Sequence, residues 1–387
     1  MWLSSSSVGR KMLMAVTGAA LVLFVTFHCL LNAIAICWPT TYNSVCMFLG
    51  ANWYALLASI GLAALIVIHI VYAVVLTMKN RSARGDIRYA VSKRPKTVEW
   101  SSNNMLVLGI VILAFLVVHL IQFWAKMQLA EIRGAEEVIP PTAGTLFIQE
   151  AFALVWTPIV YIIGFVALWF HLQHGMWSMF QSVGWDSNVW LPRLKKIACW
   201  WTTIVVGVFI AQAIVFTVKA HENYYKTNPE LRAQYMTMIF PMYERDFGPA
   251  ATQLEPLFSS LPYDQLSDGI RAELNNYEGI PDSMDDPEIQ QQLNMIPDMD
   301  YRAQRAEQME QAIRMKHAWT NLRRFCDYLE GIPEKAEEPQ IMVVPGQQPA
   351  PAPQQVQVQQ EAVEVTEAPE QSEPVEQPAA TNTNKTE

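Results

Sequence analysis

Residues 12–36 read MLMAVTGAALVLFVTFHCLLNAIAI, which is 25 residues without Asp, Glu, Lys or Arg. The polar side chains within it are Thr17, Thr26, His28 and Asn32. Because a helix needs roughly 20 apolar residues to cross a bilayer, this stretch predicts a membrane-spanning helix. Arg10 and Lys11 precede it as in a signal peptide, but the apolar run exceeds the roughly 7–15 residues of a signal-peptide core, which favours a retained helix.

Four further stretches of the same kind follow along the chain. They cover about residues 53–78, 104–125, 151–178 and 199–218, and none contains a charged side chain. Buried helices of a large soluble protein can be as apolar, but five such runs joined by basic loops favour a membrane bundle. We therefore predict an all-α membrane protein in which residues 1–220 form a bundle of five transmembrane helices.

The charge of the chain is unevenly distributed. The 387 residues include 27 Lys and Arg against 36 Asp and Glu, a net charge of −9. Residues 1–218 have 14 basic and 7 acidic side chains, whereas residues 219–387 have 13 and 29. This division predicts two regions under different physical constraints rather than one soluble domain. A nucleic-acid binder is excluded, because the basic side chains lie between apolar runs and form no continuous face.

The connecting segments predict the orientation of the bundle. The N-terminus carries Arg10 and Lys11, and segment 79–96 carries seven basic side chains, but the segment after the first span carries none. Since Lys and Arg stay on the cytoplasmic side, the N-terminus is predicted to be cytoplasmic. Five spans then place the acidic extension on the periplasmic side of a bacterial inner membrane.

Histidines in the apolar runs are the candidate functional residues. They are His28, His69, His119, His171 and His174. Ionisable side chains inside a membrane are costly and usually functional. From the helical rise, His28 and His119 lie roughly 25 Å from the cytoplasmic ends of their helices, and His69 and His171 roughly 15 Å. The spacing predicts two histidine pairs, one above the other.

Two neutral imidazoles that face each other across a bundle suit a six-coordinate haem iron. A zinc site would require further ligands at the same level, and Cys29 beside His28 does not complete one. No Cys-x-x-Cys-His occurs, so covalent c-type haem is excluded. Glycines at matching depths would allow a porphyrin to approach the backbone, although glycines are also common in ordinary membrane helix packing. They are Gly18 and Gly109 near the cytoplasmic pair, and Gly61 and Gly164 near the outer pair.

Several short motifs carry a family resemblance. They are the opening SVGRKMLMAVTG of residues 7–18 with His28 ten residues on, then His69, His119, and HLQHGMWSMFQ of residues 171–181. Over about residues 4–220 the chain resembles the five-helix, di-haem cytochrome b membrane anchor of succinate dehydrogenase/fumarate reductase complexes. The resemblance implies two b haems, one bound by His28 with His119 and one by His69 with His171.

The resemblance also implies partners. These are a flavoprotein with covalent FAD and an iron–sulfur protein, both cytoplasmic, for which segment 79–96 is a candidate docking surface. The chain would pass electrons to a membrane quinone, typically menaquinone, and would hold no dicarboxylate site, so it would be a non-catalytic subunit. His174 would contact a haem propionate or a quinone, or be structural. The alternatives are a di-haem subunit of a hydrogenase or formate dehydrogenase, and a haem-free transporter or scaffold.

The extension departs from this family. Residues 221–332 are predicted to be mostly helical, with one helix over 298–330 that begins at a capping Asp298 and ends at Gly331. Seven prolines between residues 228 and 295 predict only short helices there. Residues 333–387 are rich in Pro, Gln and Glu and lack aromatic side chains, which predicts disorder.

Two further hypotheses concern the outer side. Cys37 and Cys46 flank the segment after the first span, where an oxidising compartment would permit a disulfide. Glu150 is the carboxylate nearest to the fourth span, where it is either a proton-transfer residue or a solvated loop residue.

Overall fold

The computed structural model describes residues 6–50, 52–84, 100–134 and 138–333. Helices and turns make up these residues, and no β-strand occurs among them. Five of the helices are long and apolar enough to cross a membrane. These features define a helical, multi-pass membrane protein, as the sequence predicts.

In the described ranges we number fifteen α-helices in chain order. They are α1 (Ser7–Cys37), α2 (Pro39–Gly50), α3 (Trp53–Arg84), α4 (Trp100–Asn103), α5 (Met105–His119), α6 (Gln128–Arg133), α7 (Gly144–Phe152), α8 (Trp156–Ser182), α9 (Trp190–His221), α10 (Tyr224–Thr227), α11 (Pro229–Phe247), α12 (Ala251–Ser260), α13 (Tyr263–Asn275), α14 (Pro287–Asn294) and α15 (Met299–Glu330). A π-helical segment, Leu120–Trp124, extends α5. The five spans are α1, α3, α5 with this segment, α8 and α9.

Four of the spans form a ring in the order α1, α3, α5 and α8, in which each helix packs on its two neighbours. The fifth span, α9, lies outside the ring against α8 and α1. Helices that face each other across the ring, α1 with α5 and α3 with α8, do not pack closely along their described residues. We call the end of the bundle where α1 begins the near end, and the end where it finishes, at Cys37, the far end.

The fourth span differs from the predicted stretch 151–178. Its first residues belong to the separate helix α7, which ends at Phe152, and the spanning helix α8 begins only at Trp156. Pro158 explains the break, because proline lacks a backbone N–H and its ring clashes with the carbonyl four residues earlier, that of Leu154. Proline is tolerated in the first turn of a helix, where it now lies. Apolar composition alone did not reveal this boundary.

The helices after α9 pack on the far end of the bundle. One continuous buried cluster runs from Cys29 and Phe209 inside the bundle to Phe325 and Leu329 in α15. Lys219, near the end of α9, donates a hydrogen bond to the carbonyl of Ile36 at 3.0 Å. Residues 222–332 are therefore joined to the bundle through a shared core.

The predicted long helix of this region is confirmed. It spans Met299–Glu330, its first turn is capped by the side chain of Asp298, and Gly331 ends it in a left-handed conformation. The expectation of only short helices before it is wrong for α11, which contains Pro241 within 19 residues. An internal proline costs about 3 kcal/mol, but each fully buried large apolar side chain contributes about 1.5–3 kcal/mol. The buried residues of α11 are Leu231, Tyr235, Met236, Met238, Ile239, Phe240, Tyr243 and Phe247.

Two sequence predictions fall wholly or mainly outside the described residues. The predicted disorder of residues 333–387 lies there except for its first residue. Most of the basic segment 79–96 lies there too, since the structure describes it only as far as Arg84.

An ionic cluster joins α13 to the end of α15. The guanidinium of Arg271 donates to Glu330 at 2.6 Å and to Asp327 at 3.0 Å. The hydroxyls of Tyr263 and Ser267 donate to the other carboxylate oxygen of Glu330 at 2.9 and 3.0 Å. Burial would raise the pKa of Glu330, but these hydrogen bonds outweigh it and hold the pKa below its ordinary value of 4.5.

We expect this cluster to make the stability of the region acid-sensitive. A carboxylate with a lowered pKa stabilises the fold above its ordinary pKa, and that contribution is lost as the pH falls through the folded value. The midpoint temperature of thermal unfolding should therefore decrease in the wild type as the pH is lowered below 4.5, and it should decrease less in Glu330→Gln. Glu310→Gln removes an exposed carboxylate paired with Arg314 and should keep the wild-type pH profile. Identical profiles for Glu330→Gln and the wild type would contradict the role of Glu330.

Candidate functional site

The structure brings four of the predicted histidines together as two pairs. The ring centroids of His28 and His119 lie 5.7 Å apart, and those of His69 and His171 lie 6.3 Å apart. An imidazole nitrogen binds a metal ion at about 2 Å, so two rings that ligate one ion from opposite sides have centroids roughly 6 Å apart. Both pairs match that spacing.

Each pair spans a diagonal of the helix ring. His28 on α1 faces His119 on α5, and His69 on α3 faces His171 on α8. These are the helices that do not pack closely on each other. The histidines therefore meet across the two places where the bundle leaves its helices apart, which is where a flat cofactor ligated from both sides would fit.

We call His69 with His171 the near pair, and Thr17 fixes the hydrogen position on one of its rings. Its hydroxyl donates to the backbone carbonyl of Leu13 at 2.8 Å, with Met14 at 3.2 Å. Its oxygen lies 3.1 Å from Nδ1 of His69. Because a hydroxyl has one proton, the hydrogen of this third bond belongs to the imidazole. His69 is thereby held with Nδ1 protonated and Nε2 carrying a lone pair, the tautomer that ligates a metal through Nε2.

A second hydroxyl has the same relation to His28 with His119, which we call the far pair. The hydroxyl of Tyr161 donates to Oε1 of Gln122 at 3.0 Å and lies 3.2 Å from Nδ1 of His119. The amide nitrogen of Gln122 donates to Thr157 at 3.0 Å, which orients its oxygen toward Tyr161. The chain of donors again assigns the hydrogen to Nδ1 of His119 and leaves Nε2 as the lone-pair nitrogen.

The other member of each pair is held differently. Nδ1 of His171 is buried without a hydrogen-bond partner among the described residues. Nε2 of His28 lies 3.1 Å from the side-chain amide nitrogen of Asn32, one turn along α1. Binding an iron through this nitrogen of His28 would replace the Asn32 contact.

A π-helical segment follows His119 directly. It covers Leu120–Trp124, and the N–H of Ala125 donates to the carbonyl of Leu120 at 2.8 Å, five residues back. Such segments are rare and frequently lie at functional sites. Gln122, which completes the hydrogen-bond chain of Tyr161, lies within this segment.

The glycines agree with the predicted levels only in part. Gly18 lies beside the near pair, since a Cβ added there would be 3.6 Å from Cε1 of His69. Gly164 lies beside the far pair, but its open side is filled by the ring of Phe115, whose Cγ would be 2.5 Å from such a Cβ. Gly164 therefore makes room for a phenylalanine rather than a free surface. The two other glycines are Gly61 and Gly109. A Cβ added at either would have no neighbouring atom of the described residues within 4 Å.

His174 lies one turn closer to the near end than His171. Its ring packs edge-on against Trp177, with centroids 4.9 Å apart. The ammonium group of Lys195 lies 4.1 Å from the centroid of the same Trp177 ring. The structure thus places His174 in an aromatic and basic cluster at the near end rather than in a histidine pair.

Glu150 is neither buried near a histidine nor fully solvated. It lies on α7, where it accepts a hydrogen bond from the hydroxyl of Tyr328 at 2.8 Å. The ammonium group of Lys226 is 3.8 Å away and lies over the Tyr328 ring, 3.5 Å from its centroid. Glu150 therefore connects the segment before the fourth span to α15 and α10.

The proposed disulfide is not formed. Cys37 is an exposed free thiol at the end of α1, and Cys46 is a free thiol in α2. The sulfur of Cys46 packs against Gly144, where an added Cβ would lie 2.6 Å from it, and contacts Tyr42. Burial raises the pKa of Cys46 to about 12, so this thiol stays protonated. The two cysteines stay apart because helix α2 turns the side chain of Cys46 toward α7.

No group of three or more His, Cys, Asp or Glu side chains in the described part of the chain could hold a metal ion. Cys29 contacts the carbonyl of Val205 at 3.7 Å and does not join the adjacent His28. The histidines thus lie in twos, an arrangement that would suit a planar group held from both sides.

The hydroxyl partners Thr17 and Tyr161 were missed by sequence reasoning. The sequence nevertheless held a signal for both. Thr17 adjoins Gly18 and Tyr161 lies one turn from Gly164, and these two glycines were predicted to lie at the depths of the histidine pairs.

Comparison with known proteins adds no identification: no family model matches the sequence, and neither a curated protein nor a solved structure matches it.

Proposed function

We propose that this chain is the haem b-containing membrane-anchor subunit of a succinate:quinone oxidoreductase. It would carry electrons between an iron–sulfur subunit and a membrane quinone, typically menaquinone. The observation that carries the proposal is the meeting of two histidine pairs, each across a diagonal of the ring, at 5.7 and 6.3 Å between ring centroids. The order and spacing of the four histidines along the sequence support the choice of this family.

Two haems would be held by the chain's own side chains. His28 with His119 would ligate the far haem, and His69 with His171 the near one. When bound there, haem would supply reversible one-electron transfer, with the two imidazoles of each pair as its ligands. About 16 Å of α1 backbone separate Thr17, at the level of His69, from His28, so the pairs form two successive levels of a path along the bundle.

The proposal also includes the membrane around the chain and its partner subunits. We place the chain in a bacterial inner membrane with the near end cytoplasmic, because Arg10 and Lys11 at the start of α1 and Lys79, Arg81 and Arg84 at the end of α3 lie at that end. A flavoprotein with covalent FAD and an iron–sulfur protein would bind there and perform the dicarboxylate chemistry. The acidic extension would then lie on the periplasmic side.

A difference spectrum tests the haem. We expect the purified chain, reduced with dithionite, to show b-type absorption for two haems per polypeptide. Absence of such absorption would refute every di-haem function and leave a transporter or scaffold.

Co-purification tests the complex. We expect the chain, isolated in mild detergent from its native membrane, to retain a flavin-containing subunit that oxidises succinate or reduces fumarate. Retention of a hydrogenase or formate dehydrogenase subunit would instead assign the two haems to that class of respiratory complex.

A further inference from the structure

The two hydroxyls near the histidine pairs are arranged in a crossed pattern. Helix α1 carries His28 for the far pair and Thr17 for the near pair. Helix α8 carries His171 for the near pair and Tyr161 for the far pair. Each of these helices thus supplies a histidine at one level and a hydroxyl at the other.

Among the described residues, one histidine of each pair has a hydroxyl at its Nδ1 and the other does not. His69 and His119 each have a hydroxyl at Nδ1, and the proton of that hydroxyl is directed to another acceptor. Nδ1 of His171 has no hydrogen-bond partner in the described ranges. The hydroxyls therefore act on one histidine of each pair, which lies on α3 or α5.

We infer that Thr17 and Tyr161 are positioning residues that hold His69 and His119 as Nδ1–H tautomers and set the reduction potential of each haem separately. The inference rests on the proposed function. A metal-ligating imidazole that donates its other N–H becomes a more basic ligand. A more basic ligand favours ferric over ferrous iron, so hydrogen bonding to the ligands lowers the potential.

The two hydroxyls are not equivalent acceptors. Thr17 belongs to the helix backbone network, since its proton is directed to the carbonyl of Leu13. Tyr161 belongs to a side-chain network that continues through Gln122 to Thr157. Separate networks allow the two potentials to be set independently.

The test is a potentiometric titration of the purified holoprotein, followed by its b-type absorption. Thr17→Val keeps the shape of the side chain and removes the hydroxyl. We expect it to raise the potential of the haem that is lost in His69→Ala and to leave the other unchanged. The expected change in the ferric-to-ferrous preference is at most about tenfold, or ~59 mV for one electron. Tyr161→Phe should raise only the potential of the haem that is lost in His119→Ala.

Thr17→Ser is the matched control, because it retains the hydroxyl and should titrate like the wild type. Loss of one haem in Thr17→Val would overturn the inference, since Thr17 would then be needed to hold that haem rather than to set its potential. Equal shifts in Thr17→Val and Thr17→Ser, shifts of both haems together, or no shift would each overturn it. A wild-type chain without b-type absorption would overturn the proposed function as well, whereas two normal haems with an unchanged Thr17→Val overturn the inference alone.

Discussion

If the wild-type chain binds two haems as proposed, the His69→Ala variant should bind only one, and its reduced-minus-oxidised b absorption should fall by half. Alanine removes one axial ligand, and the facing His171 alone cannot complete six-coordinate iron. The geometry pairs these two side chains at 6.3 Å between ring centroids. His171→Ala should therefore lose the same haem as His69→Ala, as judged by the spectrum and potential of the haem that remains.

The far pair should give the complementary result. His28→Ala and His119→Ala should each remove the other haem and retain the one that His69→Ala loses. This pattern of loss depends on the pairing and not only on the presence of four histidines in apolar helices. The geometry would be contradicted if His28→Ala and His69→Ala lost the same haem and the other two variants lost the second one.

Two histidines outside the pairs serve as controls. His221→Ala changes an exposed side chain at the far end of α9, whose Nδ1 contacts the carbonyl of Thr217. His174→Ala changes a side chain one turn from His171 that packs on Trp177. Both variants should retain two haems, because neither ring faces another histidine across the bundle. Loss of a haem in His174→Ala would transfer the ligand role from His171.

The spans and the histidine pairs could be predicted because both follow from helical periodicity within one segment. A charge-free run fixes a membrane helix, and counting residues from its end fixes the depth of a side chain such as His28. Both kinds of information are local. The partner of each histidine then follows from matching depths.

The features that the sequence did not reveal depend on contacts between distant segments. Nothing near Cys46 in the chain indicates that α2 turns it toward Gly144, about a hundred residues away. The role of Glu150 depends on Tyr328, 178 residues later. The proline in α11 was overridden by burial against other helices of the extension, chiefly α12 and α15. Contacts between distant segments thus determine the structure at the far end, where the periodicity of the sequence is weak.

A buried polar cluster holds that far end together. Asn43 of α2 is fully buried, and its Oδ1 accepts from both the backbone N–H and the hydroxyl of Thr145 in α7, at 3.0 and 2.8 Å. Its side-chain amide donates to Gln234 of α11 at 3.0 Å. The hydroxyl of Thr145 also lies 2.7 Å from that of Tyr235 in α11. One asparagine therefore connects the helix after the first span, the helix before the fourth span and the extension.

We expect Asn43→Ala to lower the free energy of unfolding by about 2–4 kcal/mol, because a buried donor left without its acceptor costs about 1–3 kcal/mol and further hydrogen bonds are lost with it. Guanidinium denaturation in detergent, followed by tryptophan fluorescence, measures the change. Trypsin should also cut faster at Arg232, since α11 loses a contact to the bundle. Thr41→Ala, which alters a nearby exposed side chain of α2, should change the stability by less than about 0.5 kcal/mol. If Asn43→Ala were as stable as Thr41→Ala, the extension would be held by its apolar core alone, and the polar cluster would have no part in joining it to the bundle.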